Sequence, residues 1–217
     1  MEFKKEEIRD FILTILALGL ISSIFNFSQF LTYFFIYSIS TGLKILAEKY
    51  AASKFSIGAK YSFNYNYFII SLVLSIISAG TIVFPILGFI KVEQKEIKRL
   101  GKYYSNITSR EKGWISIIGV LSNVLMVLIS MFLIDVNPAF FQKFIDVNSL
   151  ILLFSLIPFA KFEGSNILWW NRFLWVAILL CSMFLSFLAI FKINLIISLI
   201  FSVVLFIVAF IFWEKTF

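Results

Sequence analysis

The sequence predicts an all-α, polytopic membrane protein, and three observations carry that prediction. Of its 217 residues 61% are hydrophobic and only 14% charged, with a mean hydropathy of +0.98, whereas charged residues make up about 25% of ordinary soluble domains. Apolar runs long enough to cross a bilayer lie near residues 11–29, 31–49, 115–134, 172–191 and 193–213. The basic residues gather in the short stretches between these runs, as they do in cytoplasmic loops. Nothing between the runs is long or polar enough to form a second domain, so residues 1–217 read as one integral membrane domain.

Taken in order, the chain opens on "MEFKKEEIRD", which is both acidic and basic and has no small-residue cleavage site after it, so no signal peptide is expected. The second apolar run leads into "SIGAKYSFNYN", whose alternation fits a short β-hairpin or an edge strand. The next apolar stretch, Tyr67 to Ile90, is interrupted by "SAGTIVFP", with Gly80 and Pro85. If it crossed the bilayer once, Lys49, Lys54 and Lys60 would lie opposite Lys91, Lys95, Lys98, Arg99, Lys102, Arg110 and Lys112, against the positive-inside rule. A re-entrant hairpin turning at the Gly80–Pro85 break puts both clusters on one side. Counting the shorter run from Ser149 to Phe159, this path predicts about six transmembrane helices, one re-entrant hairpin, and a C-terminal helical hairpin over 172–213. Both termini are then cytoplasmic, in an integral, multi-pass cell-membrane protein. The five Trp fall near that inner interface, as belt residues do. The "NIT" sequon at Asn106 would lie inside, out of reach of glycosylation.

Composition also excludes function classes. There is no histidine, which removes His-based zinc sites and imidazole acid–base chemistry. Cys181 is the only cysteine, so no internal disulfide forms. The net charge of +7 and pI near 9.5 reflect loops facing anionic lipid, the stretch 91–112 above all, with no nucleic-acid partner. Ser116, Ser155 and Ser165 lack a base at triad spacing.

The stretch "TGLKILAEKYAASKF" carries the sharpest question, because Lys44 and Glu48 lie one helical turn apart on an otherwise apolar run. Ionisable groups at membrane depth are costly and commonly functional. Two readings are open. Lys44, about 7–8 Å deeper than Lys49 at 1.5 Å per residue, snorkels to the headgroups, or it pairs with a carboxylate on another helix.

Three stretches in the same order resemble the site-2 protease family of zinc intramembrane metalloproteases. "KILAEKYAASKF" resembles the HExxH helix, "EKGWISIIGVLSN" a Gly-containing motif ending in Asn, here Asn123, and "SLIPFAKFEGSNILWWN" the motif N-L-I-P-x-x-x-x-D-G. The resemblance covers residues 31–171, the core, and implies where the family's zinc ligands and base would stand. Lys44 and Glu48 replace the two His, Ile45 replaces the Glu base, Glu163 replaces the Asp, and Ser155 replaces the Asn of the last motif. It also implies that Lys44, Glu48, Ser155 and Glu163 share one pocket. An ammonium among carboxylates is a poor zinc site, and Ile45 cannot take a proton.

From these replacements the sequence predicts no metal, no cofactor, no catalytic residue and no enzyme. It predicts a pseudoprotease that binds a transmembrane helix client or a membrane protein partner, for example by strand addition onto the "AKYSFNYN" edge. A structural subunit of a larger complex is the alternative. An active metalloprotease, or a small transporter using Lys44, Glu48 and Glu163 as a relay, is less well supported. The charge distribution gives a direct test. Cysteines placed at Lys60 and at Lys102 should label from the same side of the membrane, and labelling from opposite sides would show that residues 67–90 cross it.

Overall fold

A computed structural model of the chain describes residues 3–80, 82–94, 107–159 and 161–190. Seven α-helices and two strands follow in the order α1 (Lys5–Ser22), α2 (Phe30–Lys54), β1 (Ile57–Phe63), α3 (Tyr65–Ile77), β2 (Gly88–Gln94), α4 (Ser109–Phe132), α5 (Pro138–Ser155), α6 (Glu163–Trp170) and α7 (Arg172–Ile190). Among the described residues three helices are long and apolar enough to cross a membrane, namely α2 with its preceding turn, α4 and α7. The count of six drawn from the apolar runs is larger than this, and the run at 193–213 lies outside the described residues.

Local signals explain several boundaries. Thr108 and Glu111 form a reciprocal capping box, with Thr108 Oγ1 accepting from the Glu111 N–H at 3.3 Å and Glu111 Oε2 accepting from the Thr108 N–H at 2.8 Å. That fixes the start of α4. Helix α5 begins at Pro138, well before the apolar run at Ser149, because Asn137 caps it through the Phe140 N–H and Pro138 occupies the first turn.

Residues 64–87 lie between two paired strands. At 13 residues, α3 is about 20 Å long, short of the roughly 30 Å of a bilayer core. The chain turns at Ala79 and Gly80, both with positive φ, and returns without helix to β2. Phe63 pairs with Gly88, so the descending and returning limbs start and end side by side. The sheet is antiparallel, with Tyr61 opposite Ile90 and Ala59 opposite Val92. The expected strand is present, but its partner is β2 across the α3 excursion and no local hairpin forms.

The two edges of this sheet differ. The N–H of Tyr61 donates to Glu7 Oε1 at 3.0 Å and that of Phe63 to Asp10 Oδ2 at 3.2 Å. Helix α1 therefore covers the outer edge of β1. Residues opposite each other in a non-hydrogen-bonded antiparallel pair both point away from the shared ladder. The backbone groups of Ile90 and Val92 consequently face outward along β2, where no described residue bonds them. Among the described residues the outer edge of β2 is left unbonded, whereas α1 covers that of β1, within the "AKYSFNYN" stretch, at Tyr61 and Phe63.

The main core joins α1 (Ile15, Leu18, Ile21), α2 (Ile36, Tyr37), the returning limb (Val83, Phe84, Leu87) and α5 (Val147, Ile151). Glu7 holds α1 against this core. Lys49 Nζ donates to its two oxygens at 2.8 and 3.0 Å, and both side chains are buried. Lys49 was expected at the interface; the structure instead buries it against a counter-charge. Burial raises the Glu7 carboxyl, but hydrogen bonds from Lys49 and from the backbone N–H groups of Lys4 and Tyr61 outweigh it and hold the group below its ordinary value. A lowered carboxyl contributes stability above its unfolded value and loses it as pH falls through the folded one. Glu7→Gln should weaken this buried pair and the Tyr61 contact and cost up to about 3–5 kcal/mol. Glu6→Gln, at the exposed Lys60 pair, should change thermal unfolding in detergent little. Equal effects of the two substitutions would show that Glu7 does not anchor α1.

Candidate functional site

Helix α2 presents Lys44 and Glu48 on its inward face, with Lys44 8% and Glu48 3% exposed. Glu163 reaches them from the first turn of α6 and is 8% exposed. Lys44 Nζ lies 2.7 Å from Glu163 Oε1. That geometry rules out snorkelling for Lys44 and a solvated turn for Glu163. The two residues meet across elements separated in sequence, as the family resemblance implied.

The fold builds this contact from several sides. At Gly119 on α4, a Cβ atom would stand 2.1 Å from Glu48 Oε1, so only glycine lets the carboxylate lie against that helix. Phe162, the residue before α6, packs against Tyr67, Phe84 and Phe159 with ring centroids 5.4, 6.0 and 5.9 Å away. These rings fix the turn that delivers Glu163. Asn166 Nδ2 donates to Ser116 Oγ at 3.0 Å and ties α6 to α4. Glu163 also sits at a helix N-terminus, where a carboxylate is favoured. Its second oxygen, Oε2, is buried without a hydrogen-bond partner among the described residues.

Two cavities of about 20 Å³ each adjoin the cluster, room for about one water. They share Glu48, Ile90 and Glu163 in their walls. One runs inward past Lys44 to Thr14, Thr41 and Tyr61. The Tyr61 hydroxyl is 2.8 Å from Thr14 Oγ1, and burial raises it above its ordinary value, so it stays protonated. The other runs outward along Ile90 and Val92 to Lys112 and Lys161. The backbone edge of β2 therefore opens beside the ionic cluster.

Not every expected residue joins. Ser155 is buried, but its hydroxyl donates to the Leu152 carbonyl of its own helix at 3.0 Å and it lines neither cavity. Ile45 lines the inner cavity beside Lys44. Asn123 is fully buried with neither side-chain atom hydrogen-bonded among the described residues. Sequence reasoning missed Tyr61, Thr14 and the Glu7 anchor. A buried Lys49 demands a carboxylate, and that demand was the available signal.

The donor set does not fit zinc. It comprises one ammonium already paired at 2.7 Å and two carboxylates, with no imidazole or thiolate, the groups that carry zinc affinity. No cluster of three or more metal-binding side chains occurs among the described residues. No reaction step through a metal follows from these residues.

No family model matches the chain, and no solved structure does. Among curated proteins it is 23% identical over 184 residues to a protein of Methanocaldococcus jannaschii named "Putative zinc metalloprotease MJ0611". The match covers 81% of this chain and 90% of that one. The chain is thus a distant homologue of a protein bearing a metalloprotease name, as a divergent site-2-protease-like chain would be. This overturns the expectation that the chain is not an enzyme. The relative's name points toward a protease. The replaced ligands bear on zinc affinity at one pocket, and they do not show that hydrolytic activity is absent.

The ion pair makes a quantitative prediction. Lys44→Met and Glu163→Gln should each cost about 3–5 kcal/mol, because each leaves a buried charge uncompensated. Lys44→Met should be the harsher, since it strands Glu48 as well. The double variant should recover most of the loss in thermal unfolding in detergent. Additive effects below about 1 kcal/mol would show instead that the pair is solvated.

Proposed function

We propose that this chain is a site-2-protease-like membrane protein that captures an extended stretch of a transmembrane client along the outer edge of β2. The observation that carries the reading is the asymmetry of the sheet. Carboxylates of α1 occupy the β1 edge at Tyr61 and Phe63, whereas no described residue bonds the outward backbone of Ile90 and Val92, and both residues line the cavity beside Glu48 and Glu163. A helix cannot pair with a strand edge, so the client must unwind locally. Strand addition then supplies backbone hydrogen bonds that are hard to replace at membrane depth.

The membrane path supports the same reading. We take residues 64–87 as a re-entrant loop, with β1 and β2 at its two ends on the cytoplasmic side, and the chain as multi-pass with both termini inside. Trp114 and Trp170, whose tilted rings lie 5.3 Å apart, then mark the level of that interface. A client emerging from the bilayer would meet the β2 edge near this level. The distant relative's name makes peptide-bond hydrolysis the chemistry to look for at the groove, and an extended backbone is the form in which a protease holds its substrate.

The test uses a synthetic single-span peptide with a glycine-containing break, in micelles. A photocrosslinking side chain at Val92 should capture it, and one at Phe63, on the covered edge, should not. Capture from Phe63 alone, or from neither position, would refute the reading. Mass analysis of the same mixture reports whether the captured peptide is cleaved.

A further inference from the structure

The outer cavity carries a charge pattern that the capture reading does not use. Its mouth is flanked by Lys112, from the first turns of α4, and Lys161, from the turn before α6. The Lys161 ammonium stands 4.8 Å from the centroid of the Phe89 ring of β2. Neither lysine forms an ion pair with a described residue. Glu48 and Glu163 line the same cavity, but Lys44 is committed to Glu163, so with Lys112 and Lys161 the ammonium groups around it outnumber the carboxylates.

The cavity between is small, about 20 Å³, so a strand laid on β2 must meet the two ammonium groups. From this geometry we infer that the client is an extended segment with an acidic side chain, which pairs with Lys112 and Lys161 beside Val92. The inference rests on the capture reading and adds the client's chemistry and register to it. A neutral or basic residue at the mouth would leave the two lysines without a counter-charge as the strand excludes water from them.

The experiment uses the full chain with a photocrosslinker at Val92 and three peptides that differ only in carrying Asp, Asn or Lys in the extended break. Crosslinking should favour the Asp peptide over the Asn peptide by up to roughly fivefold, the upper end of the range for partly exposed ion pairs. The preference should shrink at high salt. Charge reversal by Lys112→Glu with Lys161→Glu should transfer the preference to the Lys peptide. If that double variant unfolds, Lys112→Gln with Lys161→Gln should abolish the preference instead. Equal capture of Asp and Asn peptides would overturn this inference and leave the capture reading standing. So would a preference that survives both substitutions. Absence of capture with all three peptides would overturn both.

Discussion

An ammonium and a carboxylate buried 2.7 Å apart, Lys44 and Glu163, constrain the arrangement of everything around them. Neither charge is tolerable alone at that depth. Helix α6 must therefore end its approach where Glu163 reaches α2, and α4 must present Gly119 where Glu48 needs room. The ring contacts of Phe162 and the Asn166–Ser116 hydrogen bond serve the same placement. A buried ion pair adds little stability over an apolar replacement. It does strongly disfavour any arrangement of the three helices that separates its members, so it sets register.

The same logic recurs further along α2. Lys49 is buried and Glu7 meets it, and Glu7 also accepts the Tyr61 N–H. One carboxylate thus neutralises a helix and closes a strand edge. With Asp10 also accepting from Phe63, α1 covers the β1 edge at two positions, while no described residue bonds the outward groups of Ile90 and Val92. An N-terminal helix that looks merely amphipathic decides which side of the sheet is available. Its effect on function is exerted through hydrogen bonding and not through any contact with the cluster.

The site also separates ancestry from chemistry. The three stretches that resemble site-2 protease motifs do converge, and the homologue found among curated proteins bears a metalloprotease name. Yet the groups at the point of convergence are an ammonium paired with one carboxylate, Glu163, and a second carboxylate, Glu48, beside them, which offer no zinc ligand set. The ion pair, with Gly119 and Phe162, sets how these helices pack. Whatever reaction the groove supports begins from this charge pattern and from the β2 backbone beside it.

The sequence by itself determined the membrane class, through composition and apolar runs. It also determined a strand within "SIGAKYSFNYN", through alternation, and the candidates Lys44 and Glu48, through charges where charges are costly. Each of these is a local property: hydropathy, period, or a side chain at odds with its neighbours, whereas Glu163 followed only from the family resemblance. Tertiary structure alone decided that Lys44 pairs with Glu163, that Lys49 is buried against Glu7, that Ser155 turns back onto its own helix, and that β2 is the open edge. The two ion pairs and the open edge depend on which faces meet across long separations in sequence, whereas the Ser155 hydroxyl is taken by a carbonyl of its own helix. An i, i+4 pattern shows that two charges share a face, but not which distant element brings the counter-charge. Alternation shows that a strand exists, but the hydrogen bonds of its two edges are assigned only when the neighbouring helix and strand are in place.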